Sequence, residues 1–332
     1  MDAWEGGGVA GGQGRREEQE QEQEQEQEQE QEQGAGGVAE RRGTFLADAL
    51  ELSKPRIVVM VLITAVATAV VGGGATLFGV LDWVALLVGT ALVAGAAGAA
   101  NQIWERGIDR NMARTANRPL ADGRLSVGLA VAGTTAALIV GSAVLWAAFG
   151  ATPAVVGWAT FGSYVFVYTP MKVRTAWNTT VGAVAGALPM LIGYTAAGGT
   201  WTDVPGWLLV LISVAWQYPH FMAIAWMYRR QYDQAGFVMT TTVEPTGRDA
   251  AFQAIAGSVA VVLTAVALLA WTAAAWYAVV GSVLILAATW PMLRASVAFR
   301  GERDDASARR LLRSSLWVLP VVLLLATVGV FT

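Results

Sequence analysis

The sequence contains no cysteine and a single histidine, His220. The first absence excludes disulfide bonds, thiolate catalysis and Cys-ligated metals. The second excludes a multi-histidine metal centre. Charge is scarce as well: 14% of residues are charged while 55% are apolar, far from the balance of a soluble chain. The start of the chain lacks a short apolar run with a small-residue cleavage site, so it does not read as a secretory signal. No organelle-targeting presequence is visible either, which points to a prokaryotic inner membrane. No nucleic-acid partner is expected.

The charge that exists is divided unevenly. Residues 1–43 hold 12 of the 25 acids and 4 arginines, mostly within the alternating Glu/Gln run from Glu17 to Gln33. Such a segment has almost nothing to bury against its ordering entropy and is expected to be a disordered cytoplasmic tail. Residues 44–332 carry 13 acids against 18 Lys and Arg and are expected to form one transmembrane domain.

Crossing a bilayer takes about 20 apolar residues per helix. Nine runs qualify: 56–73, 80–100, 127–149, 153–170, 176–197, 206–227, 252–271, 275–293 and 311–331. Backbone polar groups in hydrocarbon must be satisfied within the segment, so these runs are predicted to be helices. The charges between them alternate. Arg41, Arg42 and Lys54 precede the first run, and Arg106, Arg110, Arg114, Arg118 and Arg124 follow the second. Lys172 and Arg174 follow the fourth, and Arg229, Arg230 and Arg248 follow the sixth. Arg294, Arg300, Arg303, Arg309 and Arg310 follow the eighth, and the other four connections have no Lys or Arg. This alternation predicts that the N-terminus and basic loops are cytoplasmic. Gly89, Gly95, Gly98, Gly182 and Gly186 enrich two runs in small residues, which lets membrane helices approach closely or leaves room for a bulky substrate.

The most informative stretch runs from Asn101 to Leu120. Asn101, Glu105 and Asp109 are spaced to share one helix face. Neighbouring carboxylates repel, and a bound Mg²⁺ that also takes substrate phosphate oxygens would explain them. The arginines that follow, Arg110, Arg114 and Arg118 among them, suit phosphate oxygens. The alternative is a surface helix whose acids pair with Arg106 and Arg110. Lys172 and Arg174 either set topology or face a diphosphate. Asn178 is a polar group just inside an apolar run, and is expected to have a partner. Past the sixth run, Tyr228, Tyr232 and Asp233 mark a second polar patch, where Asp233 is either a helix-end charge or a further metal ligand. His220, inside an apolar run after Pro219, either bonds a neighbouring helix or contacts substrate as proton donor, acceptor or iron ligand.

Four patches together resemble the UbiA-type intramembrane prenyltransferases, and within them the haem o synthases. They are Lys54-Pro55-Arg56-Ile57, the Asn101–Leu120 stretch with Arg114-Thr115 and Arg118-Pro119-Leu120, Tyr168-Thr169-Pro170-Met171-Lys172 through Thr175, Asn178, Gly182, Gly186 and Pro189, and Trp216 with Pro219-His220-Phe221 and Ala235-Gly236. The Pro-His-Phe patch and the placement of Met112 resemble haem o synthases specifically. Families that use quinone or aromatic-acid precursors carry an Asp-rich second motif that is missing here.

The resemblance implies an all-α polytopic fold of nine helices around a central cavity. It implies farnesyl transfer from farnesyl diphosphate to a vinyl group of haem b, with haem a synthase or oxidase assembly factors as partners. Asn101, Glu105, Asp109 and Asp233 would then hold Mg²⁺. Arg110, Arg114, Arg118, Lys172 and Arg174 would bind diphosphate, and His220 would contact haem. Asn178, Tyr228 and Tyr232 would be further site residues. Two departures stand out: the Asp that usually precedes the Tyr of the loop motif is Gln231 here, and an Arg common beside Lys172 is Val173. A transferase for a quinone or aromatic acid, and a membrane transporter, are the rival readings.

Overall fold

A computed structural model describes residues 44–332, so the Glu/Gln-rich segment 1–43 lies outside the described residues. The described chain is helical, with no strand among these residues, and Asp48–Thr332 forms one compact unit.

Seven helices among the described residues are long and apolar enough to cross a membrane: Val80–Asp109, Val127–Phe149, Asn178–Ala196, Val204–Met227, Arg248–Thr272, Ala275–Glu302 and Asp305–Gly329. Phe45–Leu52 and Pro55–Val71 supply an eighth when read as one bent span. The sequence-based count of nine is therefore not reproduced, and two segments account for the difference. The first run is helical over Pro55–Val71, only 17 residues. The fourth is a continuous helical path over 151–171 whose α-helical turns, Ala151–Gly162, pass into a π-helical stretch, Ser163–Tyr168, before the short α-helical Thr169–Met171. Pro170 has no N–H to give to the ladder, and π turns are rare features that gather at functional sites.

The second run changes in the opposite sense. Its helix continues past the predicted end at residue 100 to Asp109. Asn101, Glu105 and Asp109 thus extend an apolar helix by two further turns, all three side chains buried. Asn178–Ala196 and Val204–Met227 are the most enclosed spans, while Val127–Phe149 and Ala275–Glu302 are peripheral. Close pairing of Val204–Met227 with Arg248–Thr272, and of Val80–Asp109 with Val127–Phe149, supports this arrangement.

Small residues set these approaches, as the sequence suggested. At Gly98 an added Cβ would come within 3.1 Å of the Ser53 carbonyl oxygen and 3.5 Å of the Lys54 side chain. The corner before Pro55 therefore rests directly on the Val80–Asp109 helix. Lys54 turns that corner with a left-handed backbone, φ 56°, and Pro55 starts the next helix, where its missing N–H costs nothing.

Candidate active site

Three helix ends and one loop meet at the same end of the bundle. Asp109 closes the Val80–Asp109 helix, Lys54 precedes Pro55–Val71, and Lys172 follows Thr169–Met171. The segment after Tyr232 joins them: the Val238 N–H donates to the Lys172 carbonyl (2.7 Å), and Asn178 Nδ2 donates to the Val238 carbonyl (2.7 Å).

Each of the three ligand residues predicted on the Val80–Asp109 helix has a cation of its own. Lys54 Nζ donates to Asn101 Oδ1 at 2.6 Å, Lys172 Nζ to Glu105 Oε1 at 2.7 Å, and Arg118 Nη1 to Asp109 Oδ2 at 2.7 Å. The surface-helix alternative fails, because Arg106 and Arg110 donate instead to the carbonyls of Ile103 and Ala121. Burial depresses Lys172, but its contacts, Glu105 among them, outweigh that and hold it above the ordinary lysine range. Three cations thus surround two carboxylates, leaving a positive excess suited to an anion.

Two tyrosines of the π-helical stretch wall this cluster. The Tyr164 and Tyr168 rings lie 5.1 Å apart, with Lys54 Nζ 6.0 Å from the first and Lys172 Nζ 4.8 Å from the second. Gly182 makes room for Tyr168, since a Cβ there would sit 2.6 Å from the ring. Arg114 lies over Tyr228 (4.8 Å) and Tyr232 (5.8 Å) and donates to the Tyr232 hydroxyl at 3.3 Å. Tyr228 and Tyr232 therefore hold the Arg114 guanidinium.

Other sequence-predicted residues are placed elsewhere. Asp233 is exposed, and no group of three or more acidic or His side chains among the described residues is arranged to hold a metal. Asp233 thus differs from the other three predicted ligands, Asn101, Glu105 and Asp109, which are all buried. Gln231, at the position usually held by Asp, has its Oε1 buried with no hydrogen-bond partner among the described residues. Asp233→Asn should accordingly change turnover by less than about threefold, in line with an exposed surface substitution, as steady-state assays in nanodiscs would measure. Arg174 is exposed, and Arg110 anchors the loop through Ala121, so neither joins the cluster. Asn178 ties two loops together, donating also to the Thr175 carbonyl (2.7 Å). His220 bonds the neighbouring helix through Nδ1 and Ser315 Oγ (3.0 Å) and stacks on Trp216 at 5.0 Å. No contact links it to the cluster among the described residues.

A cavity of about 590 Å³ lies between the Asn178–Ala187, Val204–Met227 and Arg248–Thr272 helices, lined by Thr180, Tyr218, Gly257 and Thr264 among others. None of the cluster residues lines it, so it is not the central cavity expected above the carboxylates. Sequence reasoning treated Lys54 only as a topological charge and a motif member. Its pairing with Asn101 spans 47 positions, and the only local signal was its place beside Pro55.

The helical bundle gathers carboxylates, lysines and arginine at one end, and the chain belongs to the UbiA prenyltransferase family, whose model matches residues 60–327. It is 60% identical over 282 residues to the protoheme IX farnesyltransferase of Rhodopirellula baltica, covering 84% of this chain and 98% of that one. It is 38% identical over 294 residues to the protoheme IX farnesyltransferase of Solibacter usitatus, covering 83% and 96%. The fold matches that of a UbiA homologue from Archaeoglobus fulgidus bound to DMAPP and Mg²⁺, with a TM-score of 0.65 at 17% identity over 86% of this chain and 99% of that one. The protein is a multi-pass membrane prenyltransferase.

Proposed function

We propose that the protein transfers a farnesyl group from farnesyl diphosphate to a vinyl group of haem b, forming haem o, with Mg²⁺ as cofactor. The observation that carries this reading is the convergence of Asn101, Glu105 and Asp109 with Lys54, Lys172 and Arg118. Its acceptor is inferred from the 60% identity to a protein named protoheme IX farnesyltransferase. The donor set fits Mg²⁺, a hard ion that takes oxygen ligands and shares itself with substrate phosphates. Asn101, Glu105 and Asp109 would hold it, and when bound it supplies charge neutralisation on the leaving diphosphate.

The chain's own cations do the rest. Lys54, Lys172, Arg118 and Arg114 give charge-assisted hydrogen bonds to diphosphate oxygens as negative charge grows there. The allylic C–O bond breaks with its electron pair leaving on diphosphate. The vinyl π pair of haem b forms the new C–C bond to the farnesyl carbon. Water then adds its oxygen to the resulting cationic carbon and gives up a proton. Tyr164 and Tyr168, whose rings already face two ammonium groups, stabilise positive charge at this position. By the distribution of basic loops, this end of the bundle faces the cytoplasm at the inner membrane.

Membranes containing the protein, supplied with haem b, farnesyl diphosphate and Mg²⁺, should yield a haem whose mass has gained one farnesyl group and one hydroxyl group. Prenylation of a quinone or aromatic-acid precursor with haem unchanged would overturn the acceptor assignment.

A further inference from the structure

Asn101 presents two chemically different ends to its surroundings. Its Oδ1 accepts from Lys54 Nζ at 2.6 Å, and its Nδ2 donates to Thr169 Oγ1 at 3.1 Å. A cation can be ligated only by the oxygen end, so the amide must not flip. Thr169 decides which way it faces. The threonine hydroxyl has one proton, and it goes to the Tyr164 carbonyl at 2.9 Å. That carbonyl also receives the Thr169 N–H across the π-helical turn. With its proton committed, Thr169 Oγ1 can only accept along the line to Asn101, which requires the NH₂ end there and the oxygen end opposite.

Lys54 favours the same orientation, because an ammonium can only donate. A metal ion taken up by Oδ1 competes with Lys54 for that oxygen, however, whereas the Thr169 contact lies on the other end of the amide. Thr169 therefore keeps its hold when the ligand is in place. The widened turn between Ser163 and Tyr168 supplies the carbonyl that makes this possible.

We propose that Thr169 is a positioning residue: it holds the Asn101 carboxamide with its oxygen directed at the bound cation and so sets the affinity for metal and diphosphate together. This rests on the reading of Asn101 as a Mg²⁺ ligand. Outer-sphere partners of this kind change metal affinity by about 10–100-fold when removed.

The test is isothermal titration of the full-length protein in nanodiscs with inorganic diphosphate, at fixed Mg²⁺ and without Mg²⁺. Thr169→Val should weaken Mg²⁺-dependent diphosphate binding by about 10–100-fold. Thr169→Ser, which keeps the hydroxyl, should restore it to within about threefold of the parent. In an Asn101→Ala background, Thr169→Val should add less than about a twofold change, because the group it positions is gone. Thermal midpoints of all variants report folding, and Thr169→Ala replaces the valine variant if that one is misfolded. Parent-like affinity in Thr169→Val, with Asn101→Ala weakened, would overturn the positioning role while leaving Asn101 as a ligand. An equal loss from Thr169→Val in both backgrounds would reduce Thr169 to a packing residue. Parent-like affinity in Asn101→Ala would remove the ligand reading itself, and the positioning role with it.

Discussion

Asp109→Asn should lower prenyl transfer by about 10²–10³-fold, the scale on which loss of one preorganised electrostatic contact slows an enzyme. The substitution keeps the shape of the side chain and removes one of the two carboxylate charges. Asp109 is buried and paired with Arg118 at 2.7 Å. Without that charge, three cations would face a single carboxylate, and the oxygen set would bind Mg²⁺ more weakly. Arg118 keeps 24% of its side chain exposed, so water covers much of the lost pairing and the protein should remain folded. Turnover with farnesyl diphosphate, a Mg²⁺ titration and a thermal melt in detergent check the three parts of this expectation. A variant with parent-like turnover would defeat the assignment of Asp109 to the metal.

Lys172→Met should do two things that a second substitution separates. Lys172 and Glu105 form a buried pair, with side chains 14% and 5% exposed. Removing the ammonium leaves an uncompensated carboxylate, which destabilises by about 3–5 kcal/mol. Methionine is adaptable and sits well beside aromatic rings, here those of Tyr168 and Phe237, so packing should contribute little to the loss. Adding Glu105→Gln removes the stranded charge and should recover most of the stability. It should not recover prenyl transfer, because the double variant lacks both a proposed metal ligand and a proposed diphosphate donor. Unfolding midpoints and turnover of both variants and the parent resolve this. Recovery of activity together with stability would mean that the pair is structural only.

The contrast between Glu105 and Asp233 explains how far local pattern reaches. Residues four apart on a helix share a face, so Asn101, Glu105 and Asp109 were readable as one constellation, and all three are buried together. One residue on a helix turns the side chain by about 100°. The move of the acid from position 231 to position 233 is therefore not a small shift: Gln231 Oε1 is buried and Tyr232 is buried, while Asp233 faces outward. Sequence could register the displacement but not which way the helix was rotated. The nine-run count has a similar history. Hydropathy sees composition, and it does not see that the fourth run widens into π-helical turns over Ser163–Tyr168 or that the first is helical over only 17 residues.

The sequence by itself determined the class of protein: apolar runs with alternating basic connections demand a helical membrane bundle, and the Asn-Glu-Asp spacing puts three oxygen-bearing side chains on one face. The tertiary structure alone decided which cation meets which ligand. Lys54 comes from 47 positions before Asn101 and Lys172 from 67 after Glu105. Such pairings follow from how whole helices pack, through close contacts like that of Gly98 with the Lys54 corner, and no local periodicity encodes them.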